Sequence, residues 1–223
     1  MKGAITMTSS KGLEFVINSQ NEAYLCGIGT CTDENVVVPS SYNGCMVVGV
    51  AEKAFERNDF VKSVTLPFSV ESIEKMAFAW CRKLESIRME GVIDIKNRAF
   101  MGCDSLKSVS LGDYLQIIDD KAFSYCSALE RIDLPRHIGS IGTAAFEGCR
   151  NLKKISLPNS LKVIENSTFY ACTSLKYVKL PNQLEYIDEY AFAYCISILE
   201  INIPSNTVIN SEAFFECGNR KAS

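Results

Sequence analysis

A phenylalanine stands three residues before a cysteine seven times in this chain, at intervals of 22 or 23 residues. An eighth copy keeps Phe55 but has Asn58 in place of the cysteine. Self-similarity at a fixed period of this size is typical of a solenoid, in which one small unit stacks on copies of itself. The sequence therefore predicts one elongated domain of about eight turns. The complete pairs are Phe78/Cys81, Phe100/Cys103, Phe123/Cys126, Phe146/Cys149, Phe169/Cys172, Phe192/Cys195 and Phe214/Cys217.

Each copy continues with the pattern L-x-x-I-x-L, which a proline often follows, as in Leu152–Pro158. The alternating aliphatic residues predict a strand with one buried face. The proline ends the strand because it lacks the N–H that the ladder requires. The A-F-x-x-C stretch is too short for an independent helix, so we expect one helical or 3₁₀ turn that packs its phenylalanine into the stack. The pattern thus predicts a parallel β-sheet on one face and short helical or 3₁₀ turns with short strands on the other.

This unit resembles the BspA-like (Treponema pallidum-type) leucine-rich repeat family, over about residues 12–217. The segment Val36–Gly44 is similar to the family's usual lead into the first full repeat, whereas Glu90 and Gly112 depart from the family by replacing the proline after the strand. The resemblance implies an α/β leucine-rich-repeat solenoid. It also implies a non-catalytic protein-binding module, secreted or displayed on a bacterial surface, with a role in adhesion. A host extracellular protein would then be its partner.

Both ends of a solenoid need a cap, because an open end exposes the hydrophobic cross-section of the stack. Glu14–Asn18 and Tyr24–Cys26 predict a β-hairpin that supplies the N-terminal cap. No strand is recognisable after Phe214, which predicts either a longer natural chain or self-association through an incomplete last turn. We divide the chain into an N-terminal lead-in and β cap at 1–45, the solenoid at 46–217 and a polar tail at 218–223.

Composition excludes several classes of partner. The net charge of −3 gives no general attraction to nucleic acid. No apolar run approaches the length of about 20 residues that a membrane-spanning helix needs, so we expect neither nucleic acid binding nor membrane insertion. Met1–Met7 lacks the apolar centre of a secretory signal. An intracellular location is therefore an alternative to the extracellular or cell-surface location that the resemblance implies.

The repeat cysteines are predicted to be buried, reduced spacers. Equivalent side chains of stacked strands are parallel and about 4.8 Å apart, whereas a disulfide needs converging Cβ atoms about 3.8 Å apart. We expect these thiols to form weak hydrogen bonds with the turn backbone, as Asn58 would do in their place. Cys26, Cys31 and Cys45 lie outside the repeat, and a disulfide between two of them is an alternative.

Catalytic and cofactor motifs are missing from the sequence. His137 is the only histidine, there is no C-x-x-C pair, and Gly27–Gly29 is only a fragment of a phosphate-binding loop. We therefore predict a protein that is not an enzyme and that uses neither a metal nor a cofactor.

The outward face of the predicted sheet is the first candidate binding surface. Alternation places Arg131, Asp133, Lys154, Tyr177 and Lys179 on it, in the middle of the chain. An aromatic residue among cations is typical of an interaction centre, although an ordinary solvated sheet offers the same residues.

A second candidate surface is an aromatic edge formed by Trp80, Tyr125 and Tyr194, each two residues after a repeat phenylalanine. These side chains either extend the core or form an exposed strip that recognises protein or stacks on sugar rings. Three function classes therefore stay open: a protein-binding module, a carbohydrate-binding or targeting segment of a larger protein, and an intracellular structural scaffold.

Overall fold

The computed structural model describes residues 8–218, and in them it has seventeen β-strands and no helix. The lead Met1–Met7, and the predicted polar tail apart from Gly218, lie outside the described residues. The strands are β1 (Glu14–Ile17), β2 (Glu22–Gly27), β3 (Asn35–Val37), β4 (Ser41–Tyr42), β5 (Cys45–Val50), β6 (Ser63–Thr65), β7 (Ser72–Ile73), β8 (Ser86–Met89), β9 (Asp94–Ile95), β10 (Ser108–Leu111), β11 (Ile117–Ile118), β12 (Ser140–Ile141), β13 (Lys154–Ser156), β14 (Val163–Ile164), β15 (Tyr177–Lys179), β16 (Tyr186–Ile187) and β17 (Val208–Ile209).

The L-x-x-I-x-L segments form a parallel sheet, as predicted, and we term it the repeat sheet. Its first part has the order β10-β8-β6-β3, and its second part is β13-β15. Single bridges from Arg131 to Lys154 and from Tyr177 to Glu200 extend the second part by one turn on each side. Equivalent residues are paired in register, so that Ile155 lies opposite Val178. The outward-facing residues of successive turns consequently form straight rows.

A second set of short parallel strands lies on the other side of the stack, also as predicted. These strands end at the aliphatic residue five positions before each phenylalanine, and Ile73 lies opposite Ile95. Their order is β2-β5-β7-β9-β11-β12 in one part and β14-β16-β17 in the other.

The turns that carry the phenylalanines are neither α-helical nor 3₁₀, contrary to the prediction. In these turns alternate N–H groups donate to the next turn of the solenoid: Phe78 to the carbonyl of Ala99 at 2.8 Å, and Trp80 to that of Met101 at 2.7 Å. In a continuous helix, donors beyond its first turn would bond instead to a carbonyl three or four residues earlier in the same segment. Left-handed backbone at Met76 (φ 56°) and Trp80 (φ 63°) reverses the winding twice within the segment. The result is a series of tight turns that forms a third ladder along the stack.

The core is a single continuous column with the phenylalanine rings along one side. From Phe55 to Phe214, successive rings stack with centroids 4.9–5.6 Å apart and with planes no more than 15° from parallel. The aliphatic residues of both sets of strands fill the rest of the column. The predicted role of the phenylalanine in the stack is confirmed.

The N-terminal hairpin is present, with β1 antiparallel to β2. β2 pairs in parallel with β5, and β3 pairs in parallel with β6. The segment before residue 46 thus contributes strands to both sides of the stack. At the other end β17 is the last strand of residues 8–218, and Ile209 is 43% exposed whereas its counterpart Ile187 is fully buried.

Of the two departures from proline after the strand, the one at Gly112 has a steric basis, and Gly91, which follows Glu90, is equally confined. A Cβ added to Gly112 would lie 1.7 Å from the carbonyl oxygen of Glu90, and one added to Gly91 would lie 1.8 Å from that of Phe68. Successive turns therefore approach so closely here that neither glycine leaves room for a side chain.

Candidate interaction surfaces

The thiols of the repeat form a row of hydrogen bonds inside the core. Each thiol from Cys81 to Cys195 donates to the carbonyl of a phenylalanine in the preceding turn, with Sγ–O distances of 2.9–3.2 Å. These six cysteines are buried, whereas Cys217 is half-buried and bonds instead to the carbonyl of Cys195 at 3.4 Å. Asn58 accepts hydrogen bonds from the N–H groups of Phe60 and Val61. The prediction that the repeat cysteines are buried, reduced spacers is confirmed for these six, whose thiols are not accessible to solutes.

The alternative of a disulfide near the N-terminus does not fit the structure. Cys26, Cys31 and Cys45 are unpaired thiols. Leu25, next to Cys26, lies opposite Val50 at one end of β5, while Cys45 begins that strand. Five residues of extended chain, or about 16 Å, therefore separate Cys45 from the place where a bond with Cys26 would form.

Alkaline pH should destabilise the solenoid through this thiol row. Burial raises the pKa of Cys149 from its ordinary value of 9.0 to about 12, and burial also raises the pKa of Cys103, Cys126 and Cys172. Below pH 9 these thiols are protonated in both the native and the unfolded chain, and their contribution to the free energy of unfolding is complete. Between these two pKa values the unfolded chain loses protons that the native state retains, so the free energy of unfolding decreases as pH rises. Thermal unfolding across this range measures the slope.

The matched variant is Cys149→Ala, which removes one buried thiol. Its unfolding temperature should fall less steeply with pH than that of the parent chain, even if the variant is less stable at neutral pH. Equal slopes for the two proteins would show that Cys149 does not contribute to the pH dependence.

The five residues proposed for the sheet face do lie together on the second part of the repeat sheet. Arg131, Lys154 and Tyr177 occupy one outward row in three successive turns. Lys179 lies opposite Ser156 in the neighbouring row. All five side chains are exposed, and Tyr177 has 61% of its surface accessible.

Their charges are not equivalent. Arg131 donates to the carboxylate of Asp133, which raises the pKa of the guanidinium and neutralises its charge locally. Within residues 8–218, neither Lys154 nor Lys179 has a carboxylate oxygen within 4.0 Å. Of the five residues, Lys154 and Lys179 therefore carry positive charge that no nearby carboxylate neutralises.

Two adjoining hollows lie on this part of the sheet. One of about 300 Å³ is bounded by Arg131, Arg136, Lys154 and Lys179. The other, of about 520 Å³, is bounded by Lys154, Tyr177, Lys179, Leu199 and Glu200. The sequence argument missed Arg136, which follows the strand-end proline, and Leu199, which precedes the expected strand by one residue. In the sequence, these two residues are marked only by their positions next to the outward residues of the predicted strands.

The aromatic edge is not a continuous strip. Trp80 packs flat on Gly102 of the next turn, where a Cβ would lie 2.2 Å from its Cε3 atom, and Tyr125 covers Gly148 in the same way. Trp80 and Tyr125 are two turns apart, a distance of about 10 Å. Tyr194 instead belongs to a separate cluster at the C-terminal end, in edge contact with Tyr170 and Phe215.

Trp80 lies next to a surface hollow. A hollow of about 430 Å³ lies beside it, bounded by Arg57, Asp59 and Arg82. Tyr125 is fixed differently, because its hydroxyl donates to Glu147 at 2.9 Å and this hydrogen bond raises the pKa of the phenol. Trp80 thus combines an aromatic side chain with a hollow that charged side chains border.

Catalytic and metal-binding constellations do not emerge from the fold. His137 is exposed. Residues 8–218 bring together no group of three or more histidine, cysteine, aspartate or glutamate side chains able to hold a metal ion. Over the same range there is also no helix with the length and apolarity that a membrane crossing requires.

A stack of about 23-residue turns, joined by the parallel strands and bridges of the repeat sheet around an L-x-x-I-x-L core, defines a leucine-rich repeat protein. The family described as BspA type Leucine rich repeat region matches residues 48–94 and 93–221, with six copies. The chain belongs to this family, as the sequence predicted. The matches indicate no enzymatic family.

Solved structures agree with the assignment. The Treponema pallidum leucine-rich repeat protein TpLRR is 30% identical, with a TM-score of 0.79 over 86% of this chain and 90% of that one. A Bacteroides ovatus leucine-rich repeat protein has the same fold at 24% identity, with a TM-score of 0.72 over 91% of this chain and 60% of that one. Comparison with curated proteins gives no match.

Proposed function

We propose that this protein is a non-catalytic binding module that engages a protein partner through the second part of the repeat sheet. The observation that carries the proposal is the pair of adjoining hollows, which share the exposed side chains of Lys154 and Lys179. The parallel sheet fixes the backbone that carries these side chains, so a partner has to order the side chains but not the chain itself. Tyr177 adds an exposed aromatic side chain of the kind that is enriched in binding hot spots.

Family membership supports a location for this activity. The resemblance to this family implies a location outside the cell or on a bacterial surface, and we infer that location here, with adhesion to a host protein as the role. An intracellular scaffold is the competing proposal. Detection of the native protein on intact cells, with and without protease treatment of the surface, separates the two.

Reversing the charge of Arg131, Lys154 and Lys179 to glutamate should abolish partner binding without lowering the melting temperature. All three side chains are exposed, so the substitutions remove no core contact. The measurement is solid-phase binding of the purified chain to extracellular-matrix proteins, cell-wall polysaccharides and host glycans, with thermal unfolding recorded in parallel.

The matched control reverses Lys53, Lys75 and Lys83, three exposed lysines outside the repeat sheet. It changes the net charge of the chain by the same amount and should leave binding intact. If both triple variants lose binding equally, general charge explains the interaction. If neither loses a bound protein, the sheet-face site is wrong.

Carbohydrate binding is a second candidate function, supported by the hollow beside Trp80. An aromatic face with flanking arginine and aspartate side chains matches the apolar face and hydroxyl groups of a sugar ring. A glycan that still binds the sheet-face variant but not Trp80→Ala would place the activity there. Trp80 is the only tryptophan, so its fluorescence reports the event directly.

A further inference from the structure

The lysines beside the repeat sheet fall into two groups with different electrostatic surroundings. One row, which immediately precedes the strands, pairs lysines with glutamates of the preceding turn: Lys62 with Glu34 at 2.6 Å, Lys107 with Glu85 at 3.0 Å and Lys153 with Glu130 at 2.6 Å. Each of these lysines therefore already forms an ion pair with a glutamate of the same chain.

The pattern stops after Lys153. Lys176 is the next residue in that row, and its neighbours in the row are Lys153 and Leu199. Among the described residues, Lys154, Lys176 and Lys179 all lack a carboxylate oxygen within 4.0 Å. Among these residues, Lys154 and Lys179 flank Tyr177 on the sheet face, Lys176 precedes it in the chain, and Glu200 lies opposite it on the side away from Lys154. The acidic residue leaves the positive charge concentrated on the Lys154 side of Tyr177, in a chain whose net charge is −3.

The spacing of these lysines favours an extended ligand. Lys154 of β13 lies opposite Tyr177 of β15, and Lys179 is two residues after Tyr177 on β15. A strand separation of about 4.8 Å and a two-residue rise of about 6.6 Å place the Cα atoms of Lys154 and Lys179 about 8 Å apart. Carboxylates at alternate positions of an extended peptide have nearly the same separation, about 6.6 Å.

The second hollow supplies an apolar contact next to these charges. Tyr177 and Leu199 border it and are 61% and 57% exposed, and their apolar surfaces are available to a partner side chain. A ligand that satisfies both features carries acidic residues on either side of an apolar one. Nucleic acid offers the charge without the matching aliphatic side chain.

We infer that the second part of the repeat sheet binds an extended acidic segment of a partner protein, with glutamates or aspartates at alternate positions on Lys154, Lys176 and Lys179 and an apolar residue between Tyr177 and Leu199. This inference rests on the proposed function and specifies the chemistry of its partner. Exposed ion pairs are individually weak, so the affinity comes from several acting together with the apolar contact.

The test is fluorescence anisotropy with a short labelled peptide that has alternating glutamates around a central leucine. The same peptide with glutamines in place of glutamates should bind about tenfold more weakly or worse. Lys154→Gln, Lys176→Gln and Lys179→Gln together should cause a similar loss. Added salt should weaken the complex because exposed charges are screened.

The matched control neutralises Lys62, Lys107 and Lys153, whose charges are already paired, and it should bind the acidic peptide as the parent chain does. Equal affinity for the glutamine peptide, equal loss in the control variant, or equally tight binding of a single-stranded oligonucleotide of the same charge would overturn the inference. A neutral protein from the binding panel that needs this face would leave the proposed function standing while the acidic-segment inference fails.

Discussion

Replacing Phe146 with alanine should lower the free energy of unfolding by about 3–5 kcal/mol. The Phe146 ring is fully buried and stacks between Phe123 at 5.5 Å and Phe169 at 5.6 Å. Alanine would leave a cavity in the middle of the ring column. The three hydrogen-bonded ladders along the stack hold the neighbouring turns at a fixed spacing, so the adjacent rings cannot close the cavity. Urea denaturation followed by circular dichroism measures the loss.

The matched control is Phe68→Ala. Phe68 is 65% exposed and touches Tyr114 only by an edge contact at 5.5 Å, so its removal should cost less than about 1 kcal/mol. A loss for Phe146→Ala that is no larger than this would mean that the ring column contributes little to stability.

Replacing Gly112 with alanine should destabilise the protein by about 2–3 kcal/mol. The new Cβ would lie 1.7 Å from the carbonyl oxygen of Glu90 in the neighbouring turn. No rotamer change relieves this contact, because the oxygen is a backbone atom and the Cβ is bonded directly to the backbone. The two turns must separate, which weakens the pairing of β8 with β10. Denaturation in urea again gives the free energy.

Gly139→Ala is the matched control, since a Cβ there would have no neighbour nearer than 3.9 Å, the carbonyl oxygen of Gln116. This variant should be neutral or slightly stabilised, because alanine reduces the entropy of the unfolded chain. If the two alanine variants are equally stable, the close approach at Gly112 does not limit the turn.

The candidate site shows where the sequence argument was sufficient. Alternation along L-x-x-I-x-L placed Arg131, Lys154 and Tyr177 on one face, because a strand presents every second residue on the same side. Which lysine has a partner depends on residues about 23 positions away, as in Lys153 and Glu130. That pairing follows from the register between turns and from side-chain reach, which the local pattern does not contain.

The sequence by itself determined the solenoid, the phenylalanine and cysteine columns and the parallel sheet that the L-x-x-I-x-L segments form. It does so because every unit packs on a copy of itself, so the period is written into the chain. Only the tertiary structure decided the form of the turns. Left-handed backbone at ordinary residues such as Met76 and Trp80 leaves no mark in composition, and it is stabilised by N–H groups that find their acceptors in the neighbouring turn. The same stacking separated Trp80 from Tyr125, and within residues 8–218 it left Lys154, Lys176 and Lys179 without a carboxylate oxygen within 4.0 Å.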